Sequence, residues 1–495
     1  MKRVVDVFDL DFPNSKPLAG TPYIDGAWGS ADGRNVIEVE NPADESIIAT
    51  IPDGTPDDAA AAVKAANKAF AGWKSLPAIQ RGNLVAAWAS AVRDNHEALA
   101  RIVTLEQGKP LAQARGEIDA VITFLTYAAE NARRLQGDIV TSDNVDEEIQ
   151  IRRHPHGVVA GLTAWNYPAA LAARKAGPAL VAGNTFVLLA HENTPLSGLA
   201  LAQLAHDVGF PPGVFNVVTG RGPVVGRTLV EHELTDLVTM TGSTGAGKEI
   251  YRSAADSIKV IRLELGGKAP FIVMEDADID AAVTAAVGAR YTNCGQICTC
   301  NERMFLHDAI ADEFLEKFVA ASRALTMGDP MGKFDLGPKI SRLERDKVAD
   351  IVSRSVDAGA EVLLDGGPVE SNGFSKGHWY APTVLATTSN HLPAIRGEVF
   401  GPVAVAMRVN SFEQAIALAN DSDYGLSAYL FTKDFKRLQR AAYELNFGEL
   451  YLNRSNGEAV QGFHTGWGLS GLGGEDGQYG FDGYLRKQTS YINWG

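Results

Sequence analysis

GVVAGLTAW (residues 157–165) opens a series of short apolar segments that decides the fold of this chain. Four similar segments follow: TFVLLA (185–190), GVFNVVTG (213–220), DLVTMTG (236–242) and IKVIRLEL (258–265). Helical patterns such as LSGLALAQLAHDVG (196–209) lie between several of them. Alternation of helices with nearly continuous apolar strands predicts a parallel sheet covered on both faces, and such sheets bind ligands at the carboxyl ends of their strands.

A second alternating series begins with PFIVM (270–274) and runs to about residue 470. Ahead of both series, Thr55-Pro56-Asp57-Asp58 predicts a helix start, because a capping hydroxyl precedes a proline and two acidic residues. We therefore expect an α/β protein with two parallel-sheet domains. The segments VTSDNVDEEIQIRRH (140–154) and GYLRKQTSYIN (483–493) are typical of exposed strands that seek a partner edge, which favours a homo-oligomer.

The charge balance narrows the range of partners. The chain of 495 residues has 60 acidic and 45 basic residues, a net charge of -15, which disfavours binding to nucleic acid. It contains no uninterrupted apolar stretch of about 18 residues that would predict a membrane span. MKRVVDVFDLDFPNS (1–15) has no apolar core typical of a signal peptide, and three cysteines suit a reducing compartment, so we expect a cytoplasmic protein.

All three cysteines, Cys294, Cys298 and Cys300, fall within NCGQICTCNER (293–303). Such a cluster indicates a metal site, a redox pair or a nucleophile held on a loop. A closed zinc site needs four ligands with paired C-x2-4-C spacing, and this chain has no fourth cysteine. We therefore expect no metal, and the nucleophile is the favoured interpretation.

Other motifs are ambiguous one by one. Glycine-rich turns at residues 220–226 and 242–247 suit phosphate contact but are more often plain connectors, and no phosphate-loop NTPase motif occurs. In ELGGKAP (264–270), Glu264 is either a general base or a surface acid. In TAWNYP (163–168), Asn166 is either an oxyanion donor or the cap of a turn.

Taken together, the motifs resemble the aldehyde dehydrogenase superfamily in order and spacing, from about residue 20 to the end. The matching stretches are A-W-N-Y-P at Asn166, T-G-S at Gly242, L-E-L-G-G-K at Glu264, N-C-G-Q-I-C at Cys298 and E-V-F-G-P at Glu398, with support from LEQGKP (105–110). The resemblance implies the aldehyde dehydrogenase fold, with a Rossmann-like NAD-binding domain (1–139 and 158–265) and a catalytic domain (266–470). It also implies a small β oligomerisation element (140–157 and 471–495) and a tetramer built from dimers.

The resemblance also implies a mechanism. The Cys298 thiolate attacks the aldehyde carbonyl, the Asn166 amide and the Cys298 N–H hold the oxyanion, and Glu264 activates the water that hydrolyses the thioester. A free thiol is only a few per cent thiolate at neutral pH, so we expect the site to lower the pKa of Cys298.

For the cofactor, the resemblance implies NAD bound by six residues, namely Trp165, Glu192, Gly242, Ser243, Glu398 and Phe400. The chain departs from the family pattern at Leu189-Ala190-His191-Glu192, where a lysine usually stands at the first position. The retained carboxylate of Glu192 suits ribose hydroxyls and repels a 2′-phosphate, which favours NAD over NADP. The missing lysine removes a donor and predicts weaker cofactor binding, unless His191 compensates.

The C-terminal stretch 448–480 resembles the bacterial lactaldehyde and glycolaldehyde dehydrogenase branch of the family. This implies a small polar aldehyde held by Arg174, Glu458 and His464. Arg174 could instead pair structurally with an acid, and His464 could be an ordinary core histidine. Three alternatives stay open: a semialdehyde whose carboxylate binds Arg174, a CoA-acylating enzyme, which Glu264 argues against, and a non-catalytic relative, which the intact Cys298 argues against.

Overall fold

A computed structural model describes residues 18–19, 21–30, 33–371 and 373–495. The segment 1–15, for which no signal peptide was predicted, lies outside the described residues. Four consecutive helices precede the strand Val158–Leu162, and helices lie between most of the parallel strands that follow. In chain order the helices are Pro56–Ser75, Ala78–Asp94, His96–Gln107, Leu111–Glu130, Pro168–Ala182, Pro195–Asp207, Arg227–Glu231, Thr244–Ala254, Ile279–Tyr291, Asp308–Ala324, Arg342–Asp357, Pro393–Arg396, Phe412–Asn420, Phe435–Glu444 and Gly477–Asp482. Among the helices of this described part, none combines the length and apolar character that a membrane span requires.

The first of these helices begins at Pro56, as predicted. Thr55 Oγ1 accepts the N–H of Asp58 at 3.3 Å, and Asp58 Oδ2 accepts the N–H of Thr55 at 2.7 Å. This reciprocal capping box satisfies two backbone donors that the first turn would otherwise leave unpaired.

An eight-stranded sheet contains the five apolar segments of the first series. In spatial order its strands are Gly471–Leu472, Val260–Glu264, Leu237–Thr241, Val158–Leu162, Thr185–Leu189, Phe215–Val218, Tyr23–Ile24 and Ala27–Trp28. The strands formed by the five apolar segments run parallel to one another, and the added edge strands are antiparallel. The predicted parallel sheet is confirmed.

Both faces of this sheet are buried. Phe186 and Val187 are neighbours on a central strand, yet their side chains belong to different apolar cores. Helices Pro168–Ala182 and Pro195–Asp207 cover the face of Phe186, and helix Pro56–Ser75 covers the face of Val187. Since successive strand residues point to opposite faces, a sheet covered on both sides requires an uninterrupted apolar run.

A seven-stranded sheet forms the second series. Its strands, in spatial order, are Glu361–Leu364, Thr383–Ala386, Val403–Val409, Asn301–His307, Ala269–Val273, Ser427–Phe431 and Glu449–Leu452. Neighbours are parallel except for the first pair, which is antiparallel. This is the second parallel sheet that the sequence predicts.

The two segments predicted to mediate oligomerisation pair with each other. Strand Glu147–Pro155 runs antiparallel to Leu485–Asn493, and Asp138–Thr141 adds to its other edge. Large apolar side chains on this small sheet, such as Ile139, remain exposed. Assembly into an oligomer stays a prediction.

The segment 471–495, which is predicted to belong to the oligomerisation element, has contacts with two different sheets. Strand Gly471–Leu472 pairs with Val260–Glu264 in the eight-stranded sheet, and Phe481 packs into the core of that sheet. Only the strand Leu485–Asn493 of the segment 471–495 joins the small sheet. The hydrophobic contact of Phe481 and the strand pairing together hold residues 471–482 against the first sheet.

The remaining strands form small sheets. They are Leu18–Ala19, Val36–Asn41 and Ser46–Pro52 in one sheet, Gly367–Pro368 with Tyr380–Ala381 in a second, and Tyr424–Gly425 with Trp467–Gly468 in a third.

Candidate active site

A cleft brings together most of the predicted catalytic and cofactor residues. A cavity of about 370 Å³ is lined by Trp165, Asn166, Gly242, Ser243, Cys298, Glu398 and Phe400. An adjoining cavity of about 480 Å³ shares Trp165, Gly242 and Ser243, and adds Leu189, His191 and Glu192. Residues far apart in the chain meet here because they follow strands of the first sheet or lie in loops beside the second.

The loop ahead of Cys298 has an unusual backbone. Asn293, Cys294 and Gly295 have φ angles of 52°, 55° and 71° in succession, in the left-handed region that non-glycine residues seldom adopt. Buried hydrogen bonds hold the turn, since Arg290 Nη2 donates to the Gly295 carbonyl at 3.0 Å and Gln296 Nε2 donates to the Asn293 carbonyl at 2.9 Å. The surrounding structure thus fixes the loop that carries the cysteine.

The three cysteines differ in exposure. Cys294 and Cys300 are each 1% exposed, and burial raises their pKa to about 11 and about 12. Cys298 is only half-buried and lines the cleft. Of the three thiols, Cys298 is therefore the one that an aldehyde can reach.

The pKa of Cys298 does not follow the expectation from the sequence. Burial raises it, while a hydrogen bond to His464 and the charge of that imidazole lower it, and the carboxylates of Glu458 and Glu398 raise it further. The net direction is upward because the thiol is withdrawn from water. Activation of this thiol therefore depends on the groups that lower its pKa against the effect of burial.

Asn166 lines the same cavity as Cys298. Its Nδ2 donates to the Gln296 carbonyl at 3.0 Å, which leaves the second N–H of the amide for another acceptor. The backbone carbonyl of Asn166 accepts from Lys109 Nζ at 2.7 Å and from Asn293 Nδ2 at 3.0 Å. Lys109 in turn pairs with the buried Glu117 at 2.5 Å, so the position of Asn166 is set by a buried ion pair.

Glu264 is a buried carboxylate at the end of its strand, 4% exposed. Neither of its oxygens has a hydrogen-bond partner among the described residues. Burial raises its pKa to about 7, against the nearby charge of His464, which lowers it. A carboxylate with this pKa and free oxygens suits a general base at neutral pH.

Glu398 and Phe400 belong to a loop anchored by another buried ion pair. Lys268 Nζ donates to Glu302 Oε2 at 2.5 Å, and the Glu302 carboxylate accepts the N–H groups of Val399 and Phe400, each at 2.8 Å. Glu398 Oε1 accepts the Gly267 N–H at 2.8 Å. Burial, and then the charge of Glu302, raise the pKa of Glu398 to about 8.

Aromatic rings line the cleft beside this loop. Trp165 and Phe400 meet edge to face with ring centroids 5.4 Å apart. Phe400 has a φ of 53°, and its carbonyl accepts a hydrogen bond from the buried Lys339. Burial lowers the pKa of Lys339 to about 8.

Gly242 and Ser243 lead into helix Thr244–Ala254. Ser243 Oγ accepts the N–H of Ala246 at 3.2 Å, which caps the helix. A Cβ on Gly242 would lie 2.3 Å from Cε of Met240, so a larger residue would displace that side chain. The helix N-terminus at the cleft suits an anionic group.

Glu192 lines the adjoining cavity, beyond the buried Leu189. Burial raises the pKa of Glu192, partly offset by a hydrogen bond from the Gly222 backbone and the charge of Arg221. His191 Nδ1 accepts the N–H of Asn193 at 3.1 Å, and burial lowers the pKa of His191 to about 4, so its ring is neutral at pH 7.

Arg174 is engaged within the protein. Its Nε donates to Asp476 Oδ1 at 2.9 Å, its Nη2 also donates to that carboxylate, and Glu475 Oε2 lies 3.4 Å away. Glu475 also pairs with the buried Lys175. Arg174 thus belongs to a buried network of two cations and two acids.

His464 and Glu458 meet a third residue, Glu449. His464 is 3% exposed, and its Nδ1 lies 3.0 Å from Glu449 Oε2 and 3.9 Å from Glu458 Oε1. The ligand atoms of these three residues lie within 4.8 Å of one another, close enough to hold a metal ion, so the absence of a metal site stays a prediction.

Sequence reasoning assigned no role to several of these residues. Lys109 and Lys268 stand inside the motifs LEQGKP and ELGGKAP, and this position is a signal that their side chains matter. Glu302 stands two residues after Cys300, near the start of the strand Asn301–His307. Glu449 had no local signal, because it reaches His464 only through the fold.

The fold and the site define an aldehyde dehydrogenase. Residues 28–490 match the Aldehyde dehydrogenase family, and the chain belongs to that family. Enzymes of this class oxidise aldehydes with a nicotinamide dinucleotide, and the predicted family and fold are confirmed.

Two particular enzymes show the similarity. The 3,6-anhydro-alpha-L-galactose dehydrogenase of Vibrio sp. (strain EJY3) is 46% identical over 473 residues, covering 95% of this chain and 98% of that protein. The lactaldehyde dehydrogenase of Escherichia coli (strain K12) is 40% identical over 480 residues, covering 97% of this chain and 99% of that protein. A solved structure of 3,6-anhydro-L-galactose dehydrogenase in complex with NAP (NADP) matches with a TM-score of 0.94 at 46% identity, covering 96% of this chain and 100% of that one.

Proposed function

We propose that this aldehyde dehydrogenase oxidises a small hydroxylated aldehyde, of the lactaldehyde or glycolaldehyde type, to the carboxylate with NAD. The observation that supports this substrate class is a charged wall of the site, formed by His464, Glu449 and Glu458. His464 Nδ1 lies 3.0 Å from Glu449 Oε2 and 3.9 Å from Glu458 Oε1, and the charge of its imidazole acts to lower the pKa of the Cys298 thiol. Such a wall binds hydroxyl groups and disfavours a fatty chain, because an apolar chain would leave these charges without polar partners.

The residues of the cleft fit a nicotinamide dinucleotide. The carboxylates of Glu192 and Glu398 would accept hydrogen bonds from ribose hydroxyls, the capped helix at Ser243 would hold the phosphates, and Trp165 and Phe400 would bind beside the nicotinamide. When bound, this cofactor supplies the hydride acceptor for the oxidation.

The protein groups provide the remaining chemistry. Cys298 Sγ forms a bond to the aldehyde carbon, and the carbonyl oxygen becomes an oxyanion held by the free N–H of the Asn166 amide and the Cys298 N–H. After oxidation the acyl group remains as a thioester on Cys298. Glu264 then takes a proton from water, and the resulting hydroxide displaces the thiolate and releases the carboxylate.

The preference for NAD rests on Glu192. A carboxylate there accepts from the ribose 2′-hydroxyl and repels a 2′-phosphate, and the nearby Asp53 adds negative charge. Arg221, which also acts on Glu192, is already paired with Asp53 at 3.3 Å. The expected result is a higher kcat/KM with NAD than with NADP.

A carboxylate-bearing semialdehyde is the second candidate substrate, recognised by Arg174. The two hydrogen bonds from Arg174 to the Asp476 carboxylate argue against this candidate, since the substrate would have to displace a buried carboxylate. Retention of Glu264 argues against a CoA-acylating enzyme, and the accessible Cys298 argues against a non-catalytic relative.

The test is steady-state NADH formation with lactaldehyde, glycolaldehyde, succinic semialdehyde and a medium-chain aldehyde. Each aldehyde is assayed with NAD and with NADP, alongside Cys298→Ala and a Cys294→Ala control. Turnover of the hydroxyaldehydes with NAD that is lost in the first variant alone supports the proposal. If the enzyme prefers the semialdehyde, Arg174 is the residue that recognises the substrate. If the folded wild-type protein turns over none of the aldehydes, the proposed function is wrong.

A further inference from the structure

His464 lies between the candidate general base and a carboxylate that the reaction scheme leaves unused. Its Nε2 is 3.6 Å from Glu264 Oε2, and its Nδ1 is 3.0 Å from Glu449 Oε2. All three side chains are largely withdrawn from water. The two nitrogens of the ring therefore face two different carboxylates.

The distance between His464 and Glu264 has a chemical consequence. A separation of 3.6 Å between Nε2 and Oε2 suits an ion pair but is too long for a hydrogen bond. Neither oxygen of Glu264 has a hydrogen-bond partner among the described residues. A cation at this distance favours the ionised carboxylate, because opposite charges within about 4–6 Å stabilise each other. The oxygens meanwhile stay open to a water molecule, which is the reactant that this base must bind.

Backbone and side-chain contacts hold the imidazole beside Glu264. The N–H of His464 donates to the Glu475 carbonyl at 2.9 Å, and the N–H of Glu475 donates back to the His464 carbonyl at 2.7 Å. Glu449 begins a strand of the seven-stranded sheet, and its Oε2 also accepts a hydrogen bond from the hydroxyl of Tyr451 at 3.0 Å. The ring is thus fixed by its own backbone and by a carboxylate that is itself anchored.

Three carboxylates from three elements surround the imidazole. Glu264 ends its strand in the eight-stranded sheet, Glu449 lies on a strand of the other large sheet, and Glu458 lies on the loop that follows, with Oε1 3.9 Å from Nδ1. One imidazolium among three carboxylates leaves the group with an excess of negative charge. The surroundings therefore favour the protonated form of the ring.

Other groups act on the same ring. Burial and the charge of Arg174 lower the pKa of His464, while the charge of Glu449 and the Cys298 thiol raise it, and the net direction is well above the ordinary value. The Arg174 guanidinium is itself paired with Asp476. The imidazolium is therefore the form present at neutral pH.

His464 is also the main favourable charge for Glu264. Burial raises the pKa of Glu264, and the charge of His464 is the strongest influence that lowers it. Glu475 acts to raise this pKa, and Arg174 and Lys175 act to lower it. Lys175 is paired with Glu475, so these two charges largely offset each other. Removal of His464 should therefore affect the ionisation of Glu264 more than removal of any of the other charges.

We propose that His464, as an imidazolium anchored by Glu449, is the positioning residue that keeps the Glu264 carboxylate ionised and open to water for hydrolysis of the thioester. The inference rests on the proposed function, in which Glu264 is the base. It gives His464 a role in hydrolysis in addition to the binding of a hydroxylated substrate. The imidazolium keeps its proton throughout, and the proton from water goes to Glu264, so no further reactant is needed.

An activated ester, p-nitrophenyl acetate, tests this role without cofactor or aldehyde. The Cys298 thiolate takes the acetyl group and releases p-nitrophenolate, and water then hydrolyses the acetyl thioester to acetate. The initial burst of p-nitrophenolate measures acylation, and the steady rate that follows measures hydrolysis. The acetyl group has no hydroxyl for His464 to bind, so an effect of His464 on the steady rate is separate from substrate recognition.

Both rates are measured from pH 6 to pH 9.5 for the wild type, His464→Gln and Glu449→Gln. Glu264→Gln identifies the part of the profile that belongs to the base, and Cys298→Ala gives the background. His391→Gln, at an exposed histidine outside the site, is the matched control. EDTA in every assay removes metal ions, the mass of the acid-quenched protein confirms the acetyl group, and circular dichroism checks that each variant is folded.

We expect His464→Gln to shift the midpoint of the hydrolysis profile from about pH 7 to higher pH by about one unit or more, because a nearby cation is lost. Hydrolysis at pH 7 should then be about fivefold slower or more, and at pH 9.5 it should return to near the wild-type rate. Glu449→Gln should shift the midpoint in the same direction by a smaller amount, and His391→Gln should not shift it. If His464→Gln does not fold, the profile of Glu449→Gln decides alone.

A midpoint of folded His464→Gln, or of Glu449→Gln where it alone decides, that coincides with the wild type would overturn the inference. A purely substrate-binding role for His464 would give this result, with a raised KM for hydroxyaldehydes. Hydrolysis that is slowed equally at every pH would show a merely structural role and would also overturn it. Failure of the proposed function would appear as absent aldehyde oxidation while the acetyl-enzyme profile still depends on His464, so the two failures are distinguishable.

Discussion

Lys268 Nζ lies 2.5 Å from Glu302 Oε2, and both side chains are buried. The same carboxylate accepts the N–H groups of Val399 and Phe400, and thereby joins the ion pair to the loop that lines the cofactor cleft. One buried pair thus holds the cleft loop against the strand that leads away from the cysteines.

Lys268→Met is expected to destabilise the protein and to weaken cofactor binding. Removing one partner of a buried ion pair typically costs about 3–5 kcal/mol, because the remaining charge is left uncompensated. The free energy of unfolding from urea titration should fall by an amount of that order, and the Kd for NADH from fluorescence titration should rise. Lys333→Met, at an exposed lysine, is the control. Equal stability of the two variants would show that the Lys268 pair does not hold the loop.

Glu264→Gln should separate the two halves of the reaction. The amide cannot take a proton from water, so the thioester accumulates and rapid mixing should show a burst of NADH close to one equivalent per site. Steady-state turnover should fall by about 10²–10⁴, the usual contribution of general base catalysis. If Glu264→Gln loses the burst of NADH as well as steady-state turnover, Glu264 instead acts in thioester formation.

The pH dependence of kcat in the wild-type enzyme should show the ionisation of Glu264. Burial raises the pKa of Glu264 to about 7, and the base acts in its ionised form. Where hydrolysis limits the rate, kcat should therefore rise with pH up to about 7 and then level off. A stopped-flow measurement of thioester hydrolysis from pH 5 to pH 9 checks this, and a rate that does not change across neutral pH would contradict it.

Asn166→Ala should slow thioester formation without changing the thiol itself. Loss of one oxyanion donor typically lowers turnover by about 10²–10³. Because Asn166 Nδ2 donates to the Gln296 carbonyl and not to Cys298, the alkylation rate of Cys298 should stay near the wild-type value. Asn166→Asp, which keeps the size of the side chain but adds a negative charge at the oxyanion, should be at least as slow. Normal turnover in both variants would assign the oxyanion to other donors.

Local patterns were sufficient for the architecture. The apolar run at Thr185–Leu189 specifies a strand buried on both faces, and the capping residues at Thr55 specify where a helix begins. The cluster of three cysteines predicted a nucleophile in this loop, and the resemblance of N-C-G-Q-I-C to the family motif indicated that it is Cys298. In each case neighbouring residues in the chain carried the information.

Long-range contacts were not predictable in the same way. The paired hydrogen bonds between Arg174 and Asp476 join residues that are 302 positions apart. Nothing near Arg174 in the sequence indicates which acid it contacts. Glu449 lies 3.0 Å from His464, which stands in a loop farther along the chain, and the raised pKa of Glu264 depends on its burial in the folded protein. Tertiary packing therefore decided the electrostatics of the site, while the sequence motifs indicated its members.

The cavity that Leu189 and Glu192 line provides the last prediction. Leu189 ends its strand 5% exposed and lines the cavity next to Glu192, where a lysine donor is usual in the family. Leu189→Lys should place an ammonium group toward Glu192 and the ribose, since a lysine stem can lie along the apolar wall with its charge at the cavity. We expect a lower Kd for NAD and a larger relative gain for NADP, because the cation offsets the carboxylate that repels the 2′-phosphate.

Calorimetric titration of both dinucleotides into wild type, Leu189→Lys, Leu189→Met and Glu192→Gln checks this prediction. Leu189→Met keeps an unbranched apolar chain without the charge and should bind NAD as the wild type does. Glu192→Gln removes the repulsion and should improve NADP binding relative to NAD. If neither charge change alters the ratio of the two dissociation constants, Glu192 does not contact the ribose and the preference for NAD must be assigned elsewhere in the cleft.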